Sequence, residues 1–131
     1  MRATALGLLV GLAVWTAPVA SAQTTVPERP GPPGVLFANN PSIVDPHSMP
    51  IESWSRVGNE RALAVHFTTG TPECYGVHAT VQETTENVTV ELSGGTLPEA
   101  VGRACIMIAV FGTLEVPLQS PIGDRQVLSA H

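Results

Sequence analysis

Three consecutive stretches of the sequence alternate apolar and polar side chains with a period of two, and nothing else in the chain constrains its fold as much. Residues 62–68 place Leu63, Val65 and Phe67 on one face and Ala64, His66 and Thr68 on the other. Residues 75–82 put Tyr75, Val77, Ala79 and Val81 on one face. Residues 87–93 put Val88, Val90 and Leu92 opposite Thr89 and Glu91. Such a chain hides one side of a pleated strand and wets the other. Turn formers separate the stretches: Thr69-Gly70-Thr71-Pro72, Glu83-Thr84-Thr85-Glu86, then Gly94-Gly95. The pattern predicts an antiparallel meander whose core face is Val65, Phe67, Val77, Val81, Val88, Val90 and Leu92. Centred on those turns, the registers set His66 opposite His78 and His78 opposite Glu91.

Weaker strand signals flank the meander at residues 51–57, 113–118 and 125–129. Residues 97–111 are ambiguous. Thr96 and Glu99 have capping-box spacing, Pro98 suits a first helical turn, and Gly112 suits a C-terminal cap, so a buried helix is the favoured reading. Ile106, Ile108 and Val110 equally suit a buried strand after a single turn. The expected fold class is mainly β: a small antiparallel meander or sandwich of five to six strands, with room for one short helix near 97–111.

Seven prolines crowd residues 23–50, where lost donors and fixed φ favour extended, unpaired chain. Residues 23–34 read as a disordered spacer, dispensable for folding, and 35–50 as irregular chain lying on the domain. The folded domain is expected over 51–131, behind a proline-rich tether at 23–50.

Residues 1–22 read as a signal peptide. Arg2 is the positive start, residues 3–14 the apolar stretch, and Ala20-Ser21-Ala22 the small-residue cleavage site. The stretch falls short of the roughly 20 apolar residues of a membrane span. The expected localisation is therefore secreted or cell envelope, without stable membrane insertion after cleavage. The mature chain would carry five arginines, no lysine and 11 carboxylates. That balance excludes electrostatic binding to nucleic acid or to anionic lipid. Two cysteines behind an export signal, Cys74 and Cys105, predict one disulfide.

The segments "GTPECYGVHATVQET", "LPEAVGRACIMIAVFGTLEVPLQSPIGDR" and "RQVLSA" carry a resemblance. From Cys74 through Val127 the chain resembles a group of small, uncharacterised exported proteins of mycobacteria and related actinobacteria. The resemblance implies export and a paired-cysteine domain, and it implies no activity.

Searching for chemistry yields little. There is no phosphate-binding glycine loop, no Gly-x-Ser-x-Gly and no His-Glu-x-x-His. Asp45, His47 and Ser48 have triad residue types, but adjacent loop residues rarely supply triad geometry. Asn87-Val88-Thr89 matches a glycosylation acceptor, though an ordinary strand start explains it better. No catalytic residue and no cofactor is expected. The row His66, His78 and Glu91 is a zinc-capable set if both registers hold, and the solvated alternative is favoured. The expected role is a non-catalytic binding or envelope-associated module, whose partner would be an envelope protein or a small ligand. The alternative is a metal-binding or small hydrolytic domain using the His66/His78/Glu91 face.

Overall fold

The computed structural model describes residues 7, 9–15 and 23–131. The expected signal peptide falls largely outside the described residues, its cleavage site entirely so. Its described side chains Leu9, Val10, Leu12, Val14 and Trp15 are exposed.

The described residues form nine strands: β1 (Thr24–Thr25), β2 (Val35–Phe37), β3 (Val44–Ser48), β4 (Ser53–Arg56), β5 (Ala62–Thr69), β6 (Tyr75–Glu83), β7 (Asn87–Thr96), β8 (Val110–Pro117) and β9 (Gln126–Ser129). The fold is mainly β, in two mixed sheets. In the first, β7 pairs with β6 along one edge, and with β9 and then β3 along the other, while β1 extends β9. The second has the order β2-β8-β5-β4. Two pairings are parallel, β2 with β8 and β7 with β9.

The inward faces are those that the alternation marks. Leu63, Val65 and Phe67 of β5 pack with Leu114 and Val116 of β8, Val77 of β6, and Val88, Val90 and Leu92 of β7 in one core. Val81, expected in this set, is only partly buried against it. Burying the side chains of this size is worth roughly 1.5–3 kcal/mol each.

The meander itself does not form as expected. Both edges of β5 are occupied, by β4 and by β8 over all eight of its residues. The chain after Thr69 therefore crosses to the other sheet instead of hairpinning back, and β5 faces β6 and β7 across the core. The β6–β7 hairpin does form, two residues out of the expected register, with Val81 opposite Val90. Thr84 sets the turn: its Oγ1 accepts from the Asn87 N–H at 2.9 Å, and its own N–H donates to the Asn87 carbonyl at 2.8 Å. A two-residue shift leaves every side chain on its face.

The expected helix over 97–111 is replaced by one 3-10 turn, Pro98–Ala100. Thr96 cannot cap a helix because it ends β7, paired with Tyr75 and Val44. Gly102, at φ +80°, turns the chain away just beyond that 3-10 turn. Gly112 lies inside β8, where any side chain would run into the Phe67 ring.

The expected domain start at residue 51 is also displaced. Val26, Phe37 and Met49 are core residues. Val26 N–H donates to Val127, Trp54 N–H donates to the Pro27 carbonyl, and Arg29 N–H donates to Trp54. Proline loses its donor but keeps its carbonyl, so it can serve on a sheet edge. The segment expected as a disordered tether is thus sewn to β9 and β4.

Candidate functional site

The zinc-capable row is not assembled. His66 lies on β5 in one sheet and His78 on β6 in the other. His78 stands opposite Ser93, and Glu91 opposite Thr80. The His78 ring meets Asn39 Oδ1 at 3.1 Å through Nδ1. Among the described residues no group of three His, Cys, Asp or Glu side chains is placed to hold a metal ion. Asp45, His47 and Ser48 belong to β3, whose register shifts between Val44 and His47 and whose Asp45 takes φ 52°. They form an irregular edge strand rather than a triad.

His66 has a different setting. It is 7% exposed, on the outer face of β5. Nε2 lies 2.8 Å from Ser55 Oγ and Nδ1 3.0 Å from Thr113 Oγ1. Register explains the contacts, since Thr113 stands opposite His66, and Ser55 stands opposite Ala64 on the same face. After pairing beside β4, the proline-rich segment crosses this face as a strap. Gly31 is seated on the imidazole so closely that a Cβ there would overlap the ring. Gly34 is pressed in the same way on the Phe111 carbonyl. Burial pushes the His66 pKa below its usual value. A neutral ring accepts at one nitrogen and donates at the other, and two hydroxyls satisfy either tautomer. Ser55 and His66 have the residue types of a nucleophile and a base. The third partner, however, is a neutral hydroxyl that cannot stabilise an imidazolium as a carboxylate does. The cluster therefore reads as a seat for the strap.

The disulfide forms as expected. Cys74 and Cys105 are bonded, with Cα atoms 6.2 Å apart. Cys74 is buried at the head of β6, and Cys105 sits in the loop of residues 101–109. That loop was expected to be buried and is not. Ile106, Met107 and Ile108 are 65%, 90% and 51% exposed, and Phe111 at the start of β8 is 50% exposed. Residues 106–109 line a 380 Å³ cleft together with Tyr75, Gly70, Thr68 and Thr69. Past Arg103, whose N–H donates to Ala100, no loop residue up to Ala109 makes a backbone–backbone hydrogen bond among the described residues. The cystine is therefore its main anchor. Ile106, Met107, Ile108 and Phe111 thus form a cluster of exposed apolar side chains beside the cystine. Sequence reasoning missed it because a short apolar run has the same periodicity inside or outside a fold. One available signal was the single cysteine, which predicts a tether at the middle of the run.

A second polar cluster is structural. Arg125 donates to Glu83 at 3.0 Å and to the Ser120 and Pro121 carbonyls. Burial pushes the Glu83 pKa up. The Gln119 and Ser120 N–H groups and Arg125 outweigh this and hold it below the usual carboxylate range.

No protein family, curated protein or solved structure matches the chain.

Proposed function

We propose that this chain is an exported, non-catalytic binding domain that engages an apolar protein surface of the cell envelope through residues 106–111. One observation carries the reading: Ile106, Met107, Ile108 and Phe111 stand exposed on a loop fixed by a disulfide. Pinning the loop in advance lowers the ordering cost that binding would otherwise incur. The disulfide suggests an oxidising, extracytoplasmic environment. No helix among the described residues is long and apolar enough to cross a membrane. The signal-like first 22 residues and the resemblance to small actinobacterial exported proteins support the export part of the reading. The hydrolytic and metal alternative loses its motivation, since His66, His78 and Glu91 do not meet.

The test is cell fractionation in an actinobacterial host, comparing the full chain with an Ile106→Asp/Met107→Asp double variant. The expected result is wild type with the envelope and the variant released as soluble, oxidised protein. Equal partitioning of the two would contradict the proposal.

A further inference from the structure

The two sheets leave one side of the sandwich open between β6 and β8, and its backbone is arranged to accept one more strand. We propose that this slot binds a short extended peptide, added to the edge of β6, with apolar side chains at alternate positions and basic residues at its ends.

The ladder is already begun. Phe37 ends β2 beside Leu114, and the chain then crosses from one sheet to the other at Asn39 and Asn40. There the Val77 carbonyl accepts from the Asn40 N–H at 2.8 Å, and the Ala79 N–H donates to Asn39 Oδ1 at 2.8 Å. The chain next turns away toward β3, and the ladder stops. Alternate residues of a strand present their backbone groups to the same side. The Ala79 carbonyl and both backbone groups of Val81 therefore face the slot. Among the described residues no strand takes them, because β6 pairs otherwise only with β7. The opposite wall is β8 beyond the end of β2, where Leu118 N–H turns to Arg61 and the backbone groups of Glu115, of opposite parity, point away from β5 toward the slot. Pro117 offers no donor there, so the ladder forms on β6 rather than β8.

The slot encloses about 320 Å³, with Val81, Leu114 and Val116 as apolar lining. It is bounded by Asn39 at one end and by the 2.7 Å hydrogen bond from Gln119 N–H to Glu83 at the other. From Ala79 to Glu83 a strand runs about 13 Å, which fits about four residues of an added strand. Charge selects the flanks. Glu83 is held by Arg125, while Glu115 is exposed and has no ion-pair partner among the described residues. The slot lining has no basic side chain, and the whole chain carries a net charge of −5. Strand addition draws affinity from the main chain and selectivity from alternate side chains.

The experiment is a ¹⁵N-resolved NMR titration of the oxidised protein with the capped peptide Ac-Arg-Val-Thr-Val-Arg-NH₂. Two N-methylated versions carry methyl groups on the even or on the odd amides. Saturable shifts at Ala79, Val81 and Glu115 are expected. One methylation pattern should weaken binding about tenfold or more, by removing ladder bonds, and the other should leave it nearly unchanged. Glu115→Arg, whose fold is checked from the same spectra, should weaken the parent peptide about two- to fivefold. It should also favour a version flanked by glutamates. Absence of saturable shifts at millimolar peptide would overturn the proposal. So would shifts confined to residues 106–109, or equal effects of the two methylation patterns.

Discussion

The strap at residues 29–34 and the loop at residues 101–109 solve the problem of holding irregular chain in opposite ways. The strap has few apolar side chains, but its run-in is bonded through backbone groups: Val26 to Val127, Pro27 and Arg29 to Trp54. Glu28 adds a 2.9 Å ion pair to Arg56, an exposed contact worth roughly 0–1 kcal/mol. Its middle is pressed on His66 by a glycine that leaves no gap. The loop is rich in apolar side chains, yet past Arg103 it is held to the sandwich chiefly by one covalent bond. The comparison teaches that backbone pairing and close packing, rather than apolar content, decide which irregular segment belongs to the fold. It also explains where the molecule can afford exposed apolar groups, since the loop contributes little to the core.

Breaking the strap should have the largest effect. Deleting residues 23–34 removes Val26 from the core, strand β1 and the bonds along β4. The expected loss is about 4 kcal/mol or more, most of a small domain's stability. Urea denaturation of the deletion measures it, and an unchanged midpoint would restore the view of this segment as a spacer.

Breaking the loop's anchor comes next. Cys74→Ser/Cys105→Ser opens a loop with a sequence separation of 31. Chain entropy puts the cost at about 3–4 kcal/mol. Unlike the strap deletion, this double variant should keep native amide chemical shifts in β5 and β8 and change mainly the resonances of residues 101–109, as NMR spectra would show.

Gly31→Ala sharpens the account of the strap. The new methyl would overlap the His66 ring, and relieving that overlap should cost about 1–3 kcal/mol in thermal unfolding. No measurable change would mean that the strap is free to lift.

A smaller effect should come from pH. The folded-state pKa of His66 lies below its ordinary 6.5 because burial disfavours the cation. The unfolded chain then binds more protons there, so stability is full above about pH 6.5 and falls as pH drops through the folded value. His66→Gln should remove the component of this slope that begins near pH 6.5. Glu83, also lowered from its ordinary 4.5, adds a further loss only at more acidic pH. Denaturation midpoints between pH 8 and pH 5 separate the two.

The smallest effect belongs to the exposed loop. Met107→Ala should change stability by no more than about 0.5 kcal/mol. A large loss would show that Met107 is packed rather than presented.

Much of the sheet structure was legible in the sequence. The alternation in β5, β6 and β7 marks both the strands and their inward faces, and the cysteines mark their own bond. Pairing partners were not legible, because alternation says which face is apolar and not which strand lies alongside. Alternation alone therefore sets β5 next to β6 and His66, His78 and Glu91 in one row, whereas β5 pairs with β4 and β8. Ser55 and Thr113, the actual partners of His66, come from strands distant in sequence. Proline content misled at residues 23–34 because carbonyls that still accept hydrogen bonds leave no mark in composition. Apolar content misled at residues 103–111 because transfer to a core and display on a surface use the same side chains.

Residue-resolved amide hydrogen exchange of the oxidised protein tests the central contrast most directly. The account predicts that Val26, Arg29 and Trp54 exchange as slowly as the core strands, while the amides of residues 106–109 exchange near the rate of an unstructured chain. Fast exchange at Val26 and Arg29 together with protection at residues 106–109 would contradict it.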